Sequence, residues 1–241
     1  MPARMRTLFA ECRTKKDYQK VANFIVWLEE HKCKHGHPYT AHPKCYDKEH
    51  PDTKYEERIG FLDIECSNLK ADFGIVLSWC LLPEKGRCLS GVITQDDVKS
   101  GLYDKRIIEE LLRKLSLFDR VVTHYGDRFD IPFLRTRAIR HKLDRELIKP
   151  LDPQGLWHTD MWKISRSKLC ISSNRQDAMS RALGVPDIKT RIHPELWLDV
   201  QMRQDKKGLK YILDHNLKDV IQLRDNFNEM RPHIVLGKTS I

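Results

Sequence analysis

The stretch Ile59-Gly60-Phe61-Leu62-Asp63-Ile64-Glu65-Cys66 decides how the chain is to be read. A strand repeats its side-chain direction every second residue, so Asp63 and Glu65 share one face while Leu62 and Ile64 point to the opposite, buried one. Two carboxylates projecting together from an apolar strand repel each other and resist desolvation. Something cationic should compensate them, and a divalent metal suits ligands that are all oxygen.

Composition changes sharply at Ile59. Downstream, strand-like runs at residues 74–82 and 87–93 follow with turn or charged residues between them, which predicts three short antiparallel strands. An amphipathic helix is expected over residues 104–115, a strand over 120–124 and a helix over 130–141. A further apolar stretch over residues 156–162 reads as the last strand. A helix over residues 173–183 is ended by Gly184 and Pro186, and a long one covers residues 207–230. This order predicts an α/β domain over residues 58–241, with a mixed five-stranded sheet, three antiparallel strands and then parallel ones, flanked by helices. Upstream, residues 1–57 read as a basic arm. Tyr18, Val21, Ile25 and Leu28 lie at helical spacing within residues 17–30, and residues 31–52 are polar and aperiodic.

The 241 residues are 40% hydrophobic and 32% charged, with a formal net charge of +9. No apolar run reaches the roughly 18 residues of a membrane span, and residues 1–20 lack the apolar core of a secretory signal. An intracellular, cytoplasmic monomer without membrane attachment is expected. Of the seven cysteines, Cys12, Cys66, Cys80, Cys88 and Cys170 have no close-spaced cysteine in sequence, which fits reduced thiols rather than a disulfide framework. The basic balance favours a polyanionic partner, because Lys and Arg set against phosphate release condensed counterions.

Two more pieces carry acids. In Val121-Val122-Thr123-His124-Tyr125-Gly126-Asp127-Arg128-Phe129-Asp130-Ile131-Pro132-Phe133-Leu134 a strand runs through a glycine turn into a helix. Asp130 sits at the helix start, where an ordinary N-cap is the competing reading. Phe129 beside it is an aromatic placed to pack on a base. In Asp214-His215-Asn216-Leu217-Lys218-Asp219, His215 and Asp219 are one helical turn apart and share a face.

The three pieces, in this order, resemble the DEDD superfamily of 3′–5′ exonucleases, and most closely the proofreading exonuclease domain of family B DNA polymerases. Asp63-Ile64-Glu65 matches the first motif, Phe129-Asp130-Ile131-Pro132-Phe133-Leu134 the second and Asn216-Leu217-Lys218-Asp219-Val220 the third. The resemblance implies a ribonuclease H-like fold and phosphodiester hydrolysis with two Mg²⁺ or Mn²⁺ ions about 4 Å apart. Asp63, Glu65, Asp130 and Asp219 would hold the ions, and His215 would orient or deprotonate the attacking water. Two positions depart from the pattern. Tyr125 stands where the second motif often carries Asn. His215 lies four residues before Asp219, where polymerase-type members have Tyr and the other branch places its His five before. The implied substrate is single-stranded nucleic acid, DNA favoured over RNA, contacted by Tyr125, Arg128, Phe129 and Arg135.

Further along, Arg137, Arg140, Lys142, Lys163, Arg166, Lys168 and Arg175, with Trp157 and Trp162, would lead a strand toward the acids, or else form a solvated face. A structure-selective endonuclease and a non-catalytic nucleic-acid-binding module are the alternative readings. Finally, Cys33-Lys34-His35-Gly36-His37-Pro38-Tyr39-Thr40-Ala41-His42-Pro43-Lys44-Cys45 concentrates zinc-ligand residues in a short loop. Cys33, His37, His42 and Cys45 are the expected Cys₂His₂ set for one structural Zn²⁺, with His35 the alternative to His37.

Overall fold

A computed structural model describes residues 15–30, 32–39, 41–42, 45, 57–152, 155–186 and 206–236. Cys12, most of the basic N-terminal stretch and much of the polar segment 31–52 lie outside the described residues. The chain divides into two compact units, Met1–Arg58 and Ile59–Ile241.

In the first unit, helix α1 (Lys15–Glu30) buries Val21 and Leu28. Leu28 packs with Cys33 and Tyr39 in a small apolar cluster, with Ile25 and Cys45 partly buried against it.

The second unit opens on β1 (Ile59–Cys66), followed by β2 (Val76–Pro83) and β3 (Leu89–Val92). Helices α2 (Gln95–Lys99) and α3 (Lys105–Leu115) lead to β4 (Arg120–Thr123) and α4 (Asp130–Arg140). A short α5 (Arg145–Ile148) and a 3-10 turn precede β5 (Trp157–Asp160), α6 (Met161–Lys168), α7 (Gln176–Leu183) and the long α8 (Lys206–Met230). The strands form one sheet in the order β3-β2-β1-β4-β5. β1 pairs antiparallel with β2, and β2 with β3, whereas β1–β4 and β4–β5 are parallel. This is the mixed, helix-flanked sheet that the element order predicts.

Each face of the sheet has its own core. Leu62 and Ile64 join Leu77, Trp79 and Leu81 of β2 against Ile107, Ile108, Leu111 and Leu115 of α3 and Leu134 of α4. Ile59 and Phe61 pack with Val122, Met161, Met179, Val220, Leu223 and Phe227 on the other side. The period of two along β1 therefore sends Asp63 and Glu65 toward the face that α8 covers, as residues in line with Phe61. Trp79 is fully buried and satisfied, its Nε1–H donating to the Ile107 carbonyl at 2.8 Å. A β-carbon on Gly91 of β3 would fall 2.4 Å from that same nitrogen, so the Trp79 ring occupies the space of the missing side chain.

Two expectations need correction. Residues 156–162 are not one strand: β5 stops at Asp160, whose carboxylate accepts the Trp162 N–H at 2.9 Å and starts α6. Lys163, Arg166 and Lys168 thus stand on that helix. Arg137 does not face a substrate path either. It is 3% exposed, and its guanidinium donates to the buried Asp104 at 2.6 and 2.8 Å. Among the described residues, no helix is long and apolar enough to cross a membrane.

Candidate active site

The acids gather where the parallel pairing of β1 ends. β4 accompanies β1 only from Ile59 to Phe61, and beyond that point the Ile64 N–H donates to Asp130 Oδ1 at 3.2 Å. The carboxylate at the start of α4 is thereby set beside the backbone that carries Asp63 and Glu65. The β1–β2 register also shifts between Glu65 and Cys66, and such irregularities re-aim side chains next to sites.

Helix α8 closes the constellation from the other side. His215 Nε2 lies 3.8 Å from Glu65 Oε1 and 3.6 Å from Asp219 Oδ2, and these three groups can offer ligand atoms within 4.8 Å of one another. Asp63 and Asp130 are outside that tightest group. Two residues that the motifs did not single out for a role fix the helix in place: Asn216, fully buried, donates from Nδ2 to the Asp63 carbonyl at 3.3 Å, and Gln176 of α7 donates to the Asp219 carbonyl at 2.8 Å. Buried amides of this kind are visible in sequence only as polar residues on an otherwise apolar helix face.

Asp130 is 3% exposed. Burial pushes its carboxyl up to about 7; the backbone hydrogen bonds from Asp130 and Ile64 pull it down, and the Asp160 carboxylate adds repulsion. Its environment thus favours the protonated acid unless a cation is supplied.

The loop between β4 and α4 is organised by Asp160, a residue that sequence reasoning passed over. Its carboxylate accepts N–H groups from Tyr125 at 2.8 Å and Asp127 at 3.2 Å as well as from Trp162. Tyr125 has φ +71, in the left-handed region that Asn tolerates better than Tyr; this gives a backbone reason for Asn at that position of the motif. The adjacent Gly126 is required by space, since a β-carbon there would fall 2.2 Å from Thr123 Oγ1. Below the loop, burial lowers the His158 imidazole to about 4. The neutral ring donates from Nδ1 to Asp127 at 2.6 Å and accepts from Thr123 Oγ1 at 2.8 Å through Nε2.

The expected nucleic-acid contacts are distributed unevenly. Tyr125 is 39% exposed, and its ring meets that of Trp162 edge-on at 5.2 Å. The Arg166 guanidinium lies over the Trp162 ring at 5.4 Å. Arg128 is exposed. Phe129 is half-buried, packed against the core and near Phe133. Arg135 is tied by its guanidinium to the Leu151 carbonyl, and Lys163 pairs with Asp127.

In the N-terminal unit, Cys33, His35, His42 and Cys45 can place ligand atoms within 4.8 Å of one another. His35, the alternative in sequence, takes the place expected for His37, which stands outside the group with its ring edge-on to His42 at 5.3 Å. Burial raises the Cys33 thiol, but hydrogen bonds with His42, the backbone of His37 and His35, and Cys45 outweigh it and bring it to about 6.

Comparison with known proteins finds a family and relatives for this chain. The model of the RNase H superfamily matches residues 60–229. A DNA polymerase of Methanocaldococcus jannaschii is 26% identical over 125 residues, which is 46% of this chain and 8% of the polymerase. Among solved structures, the family B DNA polymerase from the hyperthermophilic archaeon Pyrobaculum calidifontis aligns with a TM-score of 0.61 at 19% identity, over 74% of this chain and 25% of that one. At that identity the second likeness is one of fold, and in both cases the chain spans a minor part of the polymerase's length.

Proposed function

The chain belongs to the RNase H superfamily, and from that premise we propose that it is a metal-dependent 3′–5′ exonuclease of single-stranded nucleic acid, DNA in preference to RNA. The observation that carries the proposal is the convergence of β1, α4 and α8. Asp130 bonds to the backbone between Asp63 and Glu65, while His215 bridges Glu65 and Asp219. The order of the three motifs supports the direction, and the sequence likeness to a DNA polymerase supports DNA as the substrate.

Asp63, Glu65, Asp130 and Asp219 form an all-oxygen donor set, and a buried carboxyl as reluctant to ionise as Asp130 fits a site completed by a cation. Bound Mg²⁺ or Mn²⁺ would activate water and neutralise charge on the phosphodiester and its leaving oxygen. The chain's own residues supply position. His215, held between two carboxylates, is placed to orient the attacking water or accept its proton. Tyr125, Trp162 and Arg166 offer an aromatic and cationic rim on which bases stack without sequence preference.

The test uses a 5′-labelled single strand, DNA or RNA, with Mg²⁺ or Mn²⁺. A ladder shrinking from the 3′ end, absent with chelator and in Asp63→Ala and Asp219→Ala, is the expected result. Discrete internal cuts would make the protein an endonuclease, and binding without cleavage would make it a binding module.

A further inference from the structure

Four zinc-type ligands meet in the N-terminal unit. Cys33 Sγ lies 3.4 Å from His42 Nδ1 and 4.0 Å from His35 Nδ1, and Cys45 Sγ lies 3.3 Å from His35 Nδ1. In a tetrahedral zinc site, Zn–S bonds of about 2.3 Å and Zn–N bonds of about 2.05 Å put neighbouring sulfur and nitrogen atoms about 3.6 Å apart and two sulfurs about 3.8 Å apart. The sulfur–nitrogen distances straddle that tetrahedral edge. All four donor atoms fall within 4.8 Å of one another.

The backbone is built to present them. Cys33 N–H donates to the His37 carbonyl at 2.9 Å and Gly36 N–H to the Cys33 carbonyl at 2.8 Å. Gly36 takes φ +78, a conformation glycine adopts without penalty, so the turn folds Cys33 and His35 to one side. A second turn, in which the Ala41 and His42 N–H groups both reach the Pro38 carbonyl at 3.1 Å, brings His42 back toward Cys33.

We propose that Cys33, His35, His42 and Cys45 bind one Zn²⁺ ion in a closed tetrahedral site that holds the N-terminal unit together. The softness of two sulfurs and two imidazoles selects Zn²⁺ over Mg²⁺ or Mn²⁺, which prefer oxygen. Four protein ligands leave no open position, so the site is structural rather than catalytic. Cys33 itself packs with Leu28 and Tyr39, and Cys45 lies partly buried against the same cluster, so a bound ion would tie the turn residues to helix α1.

The test is independent of nuclease activity. The full chain, purified from zinc-supplemented culture under reducing conditions and washed with a weak chelator, is measured for metal by plasma mass spectrometry. One zinc per chain is expected in the wild type, in Asp63→Ala and in His37→Ala. Cys33→Ser with Cys45→Ser should lose it, and His35→Ala should lose most of it. Replacement of zinc by Co²⁺ in the wild type reads the geometry without relying on any variant's folding: intense visible bands of tetrahedral cobalt with a thiolate charge-transfer band are expected. No zinc in the wild type, zinc retained by the double serine variant, weak octahedral cobalt bands, a Cys33–Cys45 disulfide under reducing conditions, or loss in His37→Ala with retention in His35→Ala would each overturn the assignment.

Discussion

Replacing Asp130 by Asn should stabilise the metal-free protein, and by more as pH rises. The Asn amide oxygen can still accept the Ile64 N–H, so the substitution removes the charge and keeps the contact. In the folded chain burial lifts this carboxyl from 3.8 to about 7. The folded state therefore holds the proton more tightly than the unfolded chain does, and stability falls as pH climbs from 3.8 through about 7. Across that window each pH unit costs about 1.4 kcal/mol, so the wild type loses about 3 kcal/mol relative to Asp130→Asn between about pH 5 and about pH 8. Urea titrations of both proteins in chelator, at those two pH values, measure this directly. The difference between them cancels every titratable group that the substitution leaves alone. Adding Mg²⁺ at the higher pH should then stabilise the wild type more than the variant and narrow the gap, because Asp130→Asn keeps the other three carboxylates but loses the buried one whose ionisation a cation rewards. A difference that stays flat with pH, or Mg²⁺ that stabilises both proteins equally, would refute the reasoning.

Asp104→Ala should destabilise the protein by about 3–5 kcal/mol in urea unfolding, because it strands the Arg137 guanidinium, 3% exposed, without its buried counter-charge. His215→Ala should slow single-turnover cleavage by about 10²–10⁴-fold while leaving affinity for a single strand, measured in chelator, nearly unchanged. Gly91→Ala drives a methyl to 2.4 Å from Trp79 Nε1, and a loss of about 1–3 kcal/mol should appear as a lower melting temperature.

The parts of the fold legible in sequence are those whose cause is local. β1 shows itself by strict alternation around Asp63 and Glu65, and the end of α7 by Gly184, which takes φ +72 as the C-cap. The start of α6 does carry a local signal, Asp160 accepting the Trp162 N–H, but the apolar run over residues 156–162 masks it; and nothing near Asp160 in sequence says that it also gathers the N–H groups of Tyr125 and Asp127. Arg137 read as one more basic residue on a helix because its partner, Asp104, is 33 residues away. The same limit applies to the site. The acids could be placed by motif, whereas Asn216, which the third motif contains without a role, and Gln176 position α8 through backbone carbonyls of distant elements that sequence does not name.

Asp104 and Asp130 show why burial alone does not identify a functional carboxylate. Asp104 is buried at the start of α3, and burial by itself would raise it. Arg137, the Val76 N–H and His141 outweigh that and hold it below the usual carboxylate value. The chain has supplied its own counter-charge, and the group is structural. Asp130 receives a neutral N–H from Ile64 and faces a second carboxylate in Asp160, so its value rises. On the proposed reading, its counter-charge is left to a cation that enters with the chemistry. The two substitutions should therefore move stability in opposite directions on one scaffold: removing the charge at Asp104 breaks a completed pair, and removing it at Asp130 relieves an incomplete one.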